Sequence, residues 1–387
     1  MSAPTTESLL DDDLLARLRE RADDYDRRNA FFTEDLAELA DRGYLRALVP
    51  TGLGGLGWDL DDLVRAQMRL AGAAPATALG VNMHLVWTGV ARVLHDRGDD
   101  ALDFVLREAA DGEVFAFGIS EAGNDLMLFG SGTDADPQPD GSVRYSGRKI
   151  FTSLSPAWTR LGVHGLDTRS PDAPKIVYGF IDREDPDVRT LDDWDTIGMR
   201  ATQSRTTVLD GAVAEAARIV RRLDPGPNPD PFVFAIFACF ELFLSSVYAG
   251  IASRALELAA ESARSRVSAK TGRPRSEDPD VRRRIAGAAL ALDAIPPQLV
   301  TLARDVADGV DHGALWFAKL SGVKVRTVET AREVVDRAVR VAGGAAYFAG
   351  NELGRLQRDV LAGVFHPSSE DAALATIANA WLGPVPD

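Results

Sequence analysis

The first part of the chain repeats its apolar positions with a helical period. Leu14, Leu18 and Tyr25 lead on to Phe31-Phe32, Leu36 and Leu39, with charged residues between them, the stripe expected of amphipathic helices. Gly43, Pro50 and the run Gly52-Leu53-Gly54-Gly55-Leu56-Gly57 interrupt that period as a loop. Asp59 opens a new helical pattern, and Ala71 to Leu79 continues it as an alanine-rich, closely packed stretch. From Val114 the texture changes to short β-branched or alternating runs. Residues 114–117, 143–145, 149–152, 175–181 and 206–211 read as strands. Turns such as Pro139-Asp140-Gly141-Ser142 separate them. The prolines at 225, 227, 229 and 231 exclude both helix and ladder, so residues 224–231 form a linker. Beyond it the pattern predicts helices over 232–264, about 279–309 and about 313–342, with a last one from Glu370.

The predicted fold is therefore α+β in three parts: an N-terminal helical domain (1–115), a middle β-barrel or sheet domain (116–222) and a C-terminal four-helix bundle (232–387). Phe232 to Ile251 has the length of a membrane span and carries one charge, Glu241. A mid-span carboxylate costs about 2.5–3.5 kcal/mol on insertion scales, whereas a helix buried on all sides of a bundle needs the same composition. The bundle reading is preferred, and no membrane partner is expected.

Charge narrows the partners. A formal charge of −15 disfavours nucleic acid, whose phosphates need a basic face. The single cysteine, Cys239, permits no internal disulfide and suits a reducing cytoplasm. The histidines at 84, 95, 164, 312 and 366 have no paired spacing for zinc, so no metal is expected. The spacing of Gly52, Gly54 and Gly57 matches a phosphate-cradling G-x-G-x-x-G, but no strand precedes it in a βαβ pattern, which leaves a dinucleotide reading weak.

Several segments, taken in order, carry a resemblance. Pro50 to Gly57 fits P-x-x-x-G-G-x-G; Phe117 to Asp125 looks like a shortened T-E-P-G-x-G-S-D; Gly147 to Ser153 looks like G-x-K-x-W-I-T; Gly198 to Ser204 looks like G-x-R-G-T-x-S. Gly343-Gly344 and Arg358-Asp359 complete the set. Together they resemble the acyl-CoA dehydrogenase superfamily over nearly the whole chain, which implies a flavoenzyme. An isoalloxazine ring needs an apolar platform and polar partners at fixed points on its edge, and Phe117, Ser120, Phe151 and Ser153 offer both. By the resemblance, Ser120 bonds the pyrimidine edge, Ser153 the N5 edge, and Phe151 lies on the ring face. Arg264, Arg266, Lys270, Arg273 and Arg275 crowd one span of an acidic protein. The resemblance implies that Arg266 reaches a neighbouring subunit's pyrophosphate, hence a homodimer or homotetramer. Gly343 and Gly344 would let backbone approach an adenosine half, which favours FAD over FMN.

The resemblance departs at the base. In much of the family a catalytic Glu stands nine residues after the Arg, and here that place is Pro367. Some members carry the Glu on a bundle helix instead; the matching place is Phe240, and Glu241 is its neighbour. Burial in an apolar run should raise the Glu241 pKa toward that of a useful base. The family's Asp and Arg that meet the CoA arm fall on Ala238 and Glu241, which disfavours CoA in the usual pose. His366, eight residues after Arg358, resembles the flavin monooxygenase branch, where a His lies near flavin C4a and a Ser stands at the place of Ser153. The preferred reading is an FAD-dependent dehydrogenase of an acyl thioester or related carbonyl, with Glu241 as base. The alternative is a two-component monooxygenase fed by a flavin reductase, using His366 and Ser153. A third is a non-catalytic paralogue in a heteromer.

Overall fold

The computed structural model describes residues 4–124, 126–169 and 173–385; Asp125, the last residue of one motif above, lies outside them. The helical period of the first part resolves into α1 (Thr6–Leu9), α2 (Asp12–Arg28), α3 (Thr33–Asp41), α4 (Leu60–Ala71), α5 (Pro75–Asp96) and α6 (Asp103–Ala110). The stretch read as continuous from Ala71 to Leu79 breaks before Pro75, which takes the first position of α5, where its missing N–H costs nothing. The glycine run is architectural: a Cβ on Gly55 would lie 2.1 Å from the Val49 carbonyl oxygen.

The middle part is one mixed sheet of β1 (Phe115–Gly118), β2 (Asp134–Pro137), β3 (Val143–Thr152), β4 (Arg160–Asp167), β5 (Lys175–Asp182), β6 (Val188–Thr190), β7 (Arg205–Ala214) and β8 (Ile219–Leu223). Its order is β6-β7-β3-β2-β4-β5-β8, with β1 parallel to β4. The end strands β6 and β8 do not pair, so the barrel half of the expectation is corrected to an open sheet. The runs 143–145 and 149–152 belong to one strand, β3, whose register against β7 shifts between Lys149 and Thr152. Such bulges re-aim side chains.

The linker then leads into α7 (Pro231–Ser265), α8 (Pro279–Asp293), α9 (Ile295–Ala307), α10 (Leu315–Ala342), α11 (Glu352–Asp359) and α12 (Glu370–Leu382). The helix predicted over 279–309 is two, because Pro296 and Pro297 fit only a helix's first turn. Asp230 caps α7 by accepting from the Phe232 N–H. Apolar all round, α7 packs among α4, α5 and α10, and Leu242, Phe243, Leu244 and Val247 are fully buried, each contributing about 1.5–3 kcal/mol. It is a core helix, as the bundle reading required.

Two close approaches fix how these parts meet. A Cβ on Gly250 of α7 would lie 2.3 Å from the Met68 carbonyl of α4. A Cβ on Gly162 of β4 would lie 2.4 Å from the Trp87 ring of α5, whose Nε1 donates to the Ala116 carbonyl at 2.9 Å. The sheet is thereby seated on α5, with the end of β1 facing α7.

Candidate active site

Where the three parts meet lies a cavity of about 430 Å³, within the range of small-ligand sites. Leu79 and Met83 of α5, Phe117 of β1 and Phe240 of α7 give it apolar walls; Ser120, Phe151, Ser153, Thr202 and Ser204 line it from the sheet side, and His366 and Pro367 from the C-terminal side. The four residues expected at the isoalloxazine thus share one cavity with His366. The strand ends that bring them there are joined by the Ile150 N–H donating to the Ser120 carbonyl at 2.9 Å.

The residues suit a flavin ring. Phe151 sits at the β3 bulge with φ at +56°, a left-handed conformation that costs a non-glycine residue. It is held 54% exposed at the cavity, edge-on to Trp194 at 6.1 Å. A large apolar side chain kept open in this way has the shape and chemistry to receive a planar ligand. Met199, also on the wall, and Gln203 beside it have positive φ as well.

On the polar side, Ser153 Oγ lies 2.7 Å from Ser204 Oγ, Ser204 donates to Thr202 Oγ1 at 2.8 Å, and Thr202 donates to the Met199 carbonyl at 2.9 Å. His366 Nε2 lies 2.9 Å from the Tyr248 hydroxyl. Burial, reinforced by the Lys324 charge, depresses the His366 pKa to about 3, so its ring is neutral. Lys324 donates to the carbonyls of Gly363, His366 and Ser368 at 3.1, 2.8 and 2.7 Å, which fixes the turn carrying His366.

Glu241 does not join this group. Although Phe240 faces the cavity, its neighbour is only 1% exposed and does not line it. One carboxyl oxygen accepts from the Ser368 N–H at 3.0 Å and hydroxyl at 2.9 Å; the other has no hydrogen-bond partner among the described residues. Burial raises its pKa, as expected, with Lys324 pulling the other way. The Glu241 side chain is therefore not on the cavity wall, where the sequence-based expectation had put a base: a step of one residue turns a side chain by about 100° around a helix. The carboxylates that do line the cavity are engaged. Glu121 is bound by Lys149 at 2.5 Å and Asp195 by Arg200 at 3.0 Å.

Arg266 and Gly343-Gly344 form a separate group. Arg266 donates to the carbonyl of Ala342, next to Gly343, whose φ is +67°. Neither borders the cavity within one subunit. The Arg358-Asp359 pair is a clamp. Arg358 bonds Asp26 of α2 at 2.5 Å and the Ile197 carbonyl at 3.0 Å, and Asp359 accepts from the Met199 N–H at 2.6 Å. Thr202, Ser204, Tyr248 and Lys324 had no role assigned from sequence. The first two lay inside a recognised motif segment, while Tyr248 lies in the apolar run read only for burial and for Glu241, and Lys324 in a helix read only for its length.

Comparison with known proteins agrees with this geometry. Residues 12–112 match the family model for the acyl-CoA dehydrogenase N-terminal domain and residues 242–370 that for the C-terminal domain. L-evernosamine nitrososynthase from a Micromonospora species is 30% identical, over 96% of this chain and 89% of the relative. Isobutylamine N-hydroxylase of Streptomyces viridifaciens is 26% identical, over 87% and 86%. The solved structure of KijD3 in complex with FMN and a dTDP-linked amino sugar superposes with a TM-score of 0.85 at 26% identity, over 99% of this chain and 95% of that one. With both terminal domains matched and a full-length relative at this identity, the chain belongs to the acyl-CoA dehydrogenase family and is a flavin-dependent oxidoreductase.

Proposed function

We propose that the protein is a two-component monooxygenase that uses reduced flavin and dioxygen to oxidise a small molecule, with a primary amine as its substrate class. The observation that carries this reading is that His366 and Ser153 share the cavity while Glu241 is turned out of it. A dehydrogenase needs a free carboxylate beside the substrate α-carbon, and both carboxylates on the wall are paired. Relatives named for nitrososynthase and amine N-hydroxylase activity support the same choice.

The walls favour a neutral amine over an ammonium ion, because Leu79, Met83, Phe117 and Phe240 offer no charge to compensate it. That is the required form, since N-oxygenation uses the nitrogen lone pair. Reduced flavin would supply two electrons and two hydrogens, so that amine plus dioxygen gives a hydroxylamine, water and oxidised flavin. The protein's part is to hold the ring on Phe151 and Phe117, bond its edge through Ser120 and Ser153, and exclude water. Neutral His366, steadied by Tyr248, would offer a hydrogen bond to the oxygen chemistry that the reduced flavin supplies. Arg266 and Gly343-Gly344 would meet the dinucleotide tail if FAD is used, as part of a homodimer or homotetramer. The enzyme would work in the cytoplasm beside a flavin reductase.

The test is single-turnover mixing. Protein loaded anaerobically with photoreduced FMN or FAD is mixed with aerated buffer and a panel of primary amines, and hydroxylamine and hydrogen peroxide are measured. Product should require both reduced flavin and oxygen. His366→Ala should lower product roughly 10²-fold, the low end for a positioned proton-transfer group, with a matching rise in peroxide; Glu241→Gln should retain turnover. Anaerobic bleaching of oxidised flavin by acyl-CoA thioesters, abolished by Glu241→Gln, would instead restore the dehydrogenase reading.

A further inference from the structure

The hydroxyl chain behind the cavity has a direction. Its far end is the Met199 carbonyl, which can only accept. Each hydroxyl carries a single hydrogen. Thr202 spends its hydrogen on Met199, so Ser204 must donate to Thr202, and Ser153 must then donate to Ser204. Reversing the chain forfeits the bond to Met199. These three residues are buried, so a lost bond is not replaced by bulk water. The Ser153 oxygen is left with its lone pairs for the cavity and no hydrogen to give.

We infer that Thr202 and Ser204 are positioning residues that set Ser153 as a hydrogen-bond acceptor, and so make the site selective for reduced over oxidised flavin. Flavin N5 accepts a hydrogen bond when oxidised and carries N–H when reduced. An acceptor at Ser153 matches only the second. This rests on the reading of Ser153 as the N5 partner given above, and it gives that reading a mechanism: the protein takes up the reduced form delivered to it and releases the oxidised product.

Ser204→Ala leaves Ser153 without its acceptor and frees its hydrogen to turn toward the flavin. Thr202→Val has the same sense, because Ser204 can then donate to Ser153. In the full-length protein, dissociation constants for oxidised FMN and FAD are measured by fluorescence and for the reduced forms by anaerobic titration. Both variants should bind oxidised flavin roughly three- to tenfold more tightly, one net hydrogen bond, with reduced flavin nearly unchanged. The midpoint potential of the bound flavin should fall by about 15–30 mV. A hydroxyl that merely fills space would not move this ratio. An unchanged ratio in both variants, or weaker binding of the oxidised form, overturns the inference. Ser153→Ala distinguishes the two levels: if it leaves both constants unaltered, Ser153 does not face N5 and the site reading falls as well. If it alters them while the other two variants do not, only the directed chain is wrong.

Discussion

Glu121→Gln is expected to cost about 3–5 kcal/mol of stability, the usual loss when a buried ion pair is left with one charge. Lys149 is fully buried, and among the described residues it has Glu121 at 2.5 Å, the His164 carbonyl at 2.7 Å and the His164 ring nitrogen Nδ1 at 3.1 Å. The same carboxylate accepts from Ser131 Oγ, the Gly132 and Thr133 N–H groups and Thr133 Oγ1. A glutamine amide would point two hydrogens at some of those donors. For a chain of this length the loss corresponds to a melting point lower by roughly 5 °C, read by calorimetry. The effect has a pH signature. Burial pushes the Glu121 pKa up, but the Lys149 charge and hydrogen bond, with those of Thr133 and Gly132, outweigh it and hold the group near about 2, below its ordinary 4.5. A depressed carboxyl stabilises fully above about 4.5 and loses that contribution as pH falls toward about 2. The gap between wild type and Glu121→Gln should therefore close over that window. A constant gap down to the lower limit would show that the pair is not the cause. Removing both charges, in Glu121→Gln with Lys149→Met, should recover part of the loss.

Gly198→Ala should weaken flavin binding while leaving the sheet intact. A Cβ there would lie 2.2 Å from the Arg358 carbonyl oxygen and 2.4 Å from its carbon. Backbone cannot yield like the end of a side chain, so the segment 194–199 must retreat, at about 1–3 kcal/mol. That breaks the Met199 N–H bond to Asp359 and withdraws Trp194 and Met199 from the cavity wall. Flavin affinity should fall at least about tenfold, the worth of one displaced anchoring contact, with unchanged far-ultraviolet circular dichroism. Gly322→Ala is the control, since its Cβ would meet only Ile377 at 3.6 Å. Equal affinities in the two variants would remove the clamp from the account of the site.

The helix–sheet–helix order was legible because each part has its own period. Phe117, Ser120, Phe151 and Ser153 could be singled out because they sit in short contiguous motifs, and the fold brings all four to one cavity. The strand Arg160–Asp167 was missed: Gly162 and Gly165 weaken its strand pattern, yet they are there because Trp87 and Tyr145 press on the strand. The orientation of Glu241 was illegible for a related reason. An evenly apolar helix has no polar face to fix its rotation, so its burial could be inferred but the direction it points could not. Pro367 was the better clue. Its place in the motif already spoke against a carboxylate base there; of the carboxylates on the wall, Glu121 is held in a buried pair and Asp195 in an exposed one.

The cavity draws its walls from α5, the sheet, α7 and the turn at residues 361–367, and the last of these follows all the others in order of synthesis. A nascent chain that has not yet reached Arg358 has the sheet side of the cavity but no closing wall, no His366 and no Arg358-Asp359 clamp. Cofactor capture therefore has to wait until the final wall has emerged and docked. The same order makes retention of flavin a reporter of complete folding, because a chain truncated just before Arg358 keeps every sheet residue of the site and still leaves it open.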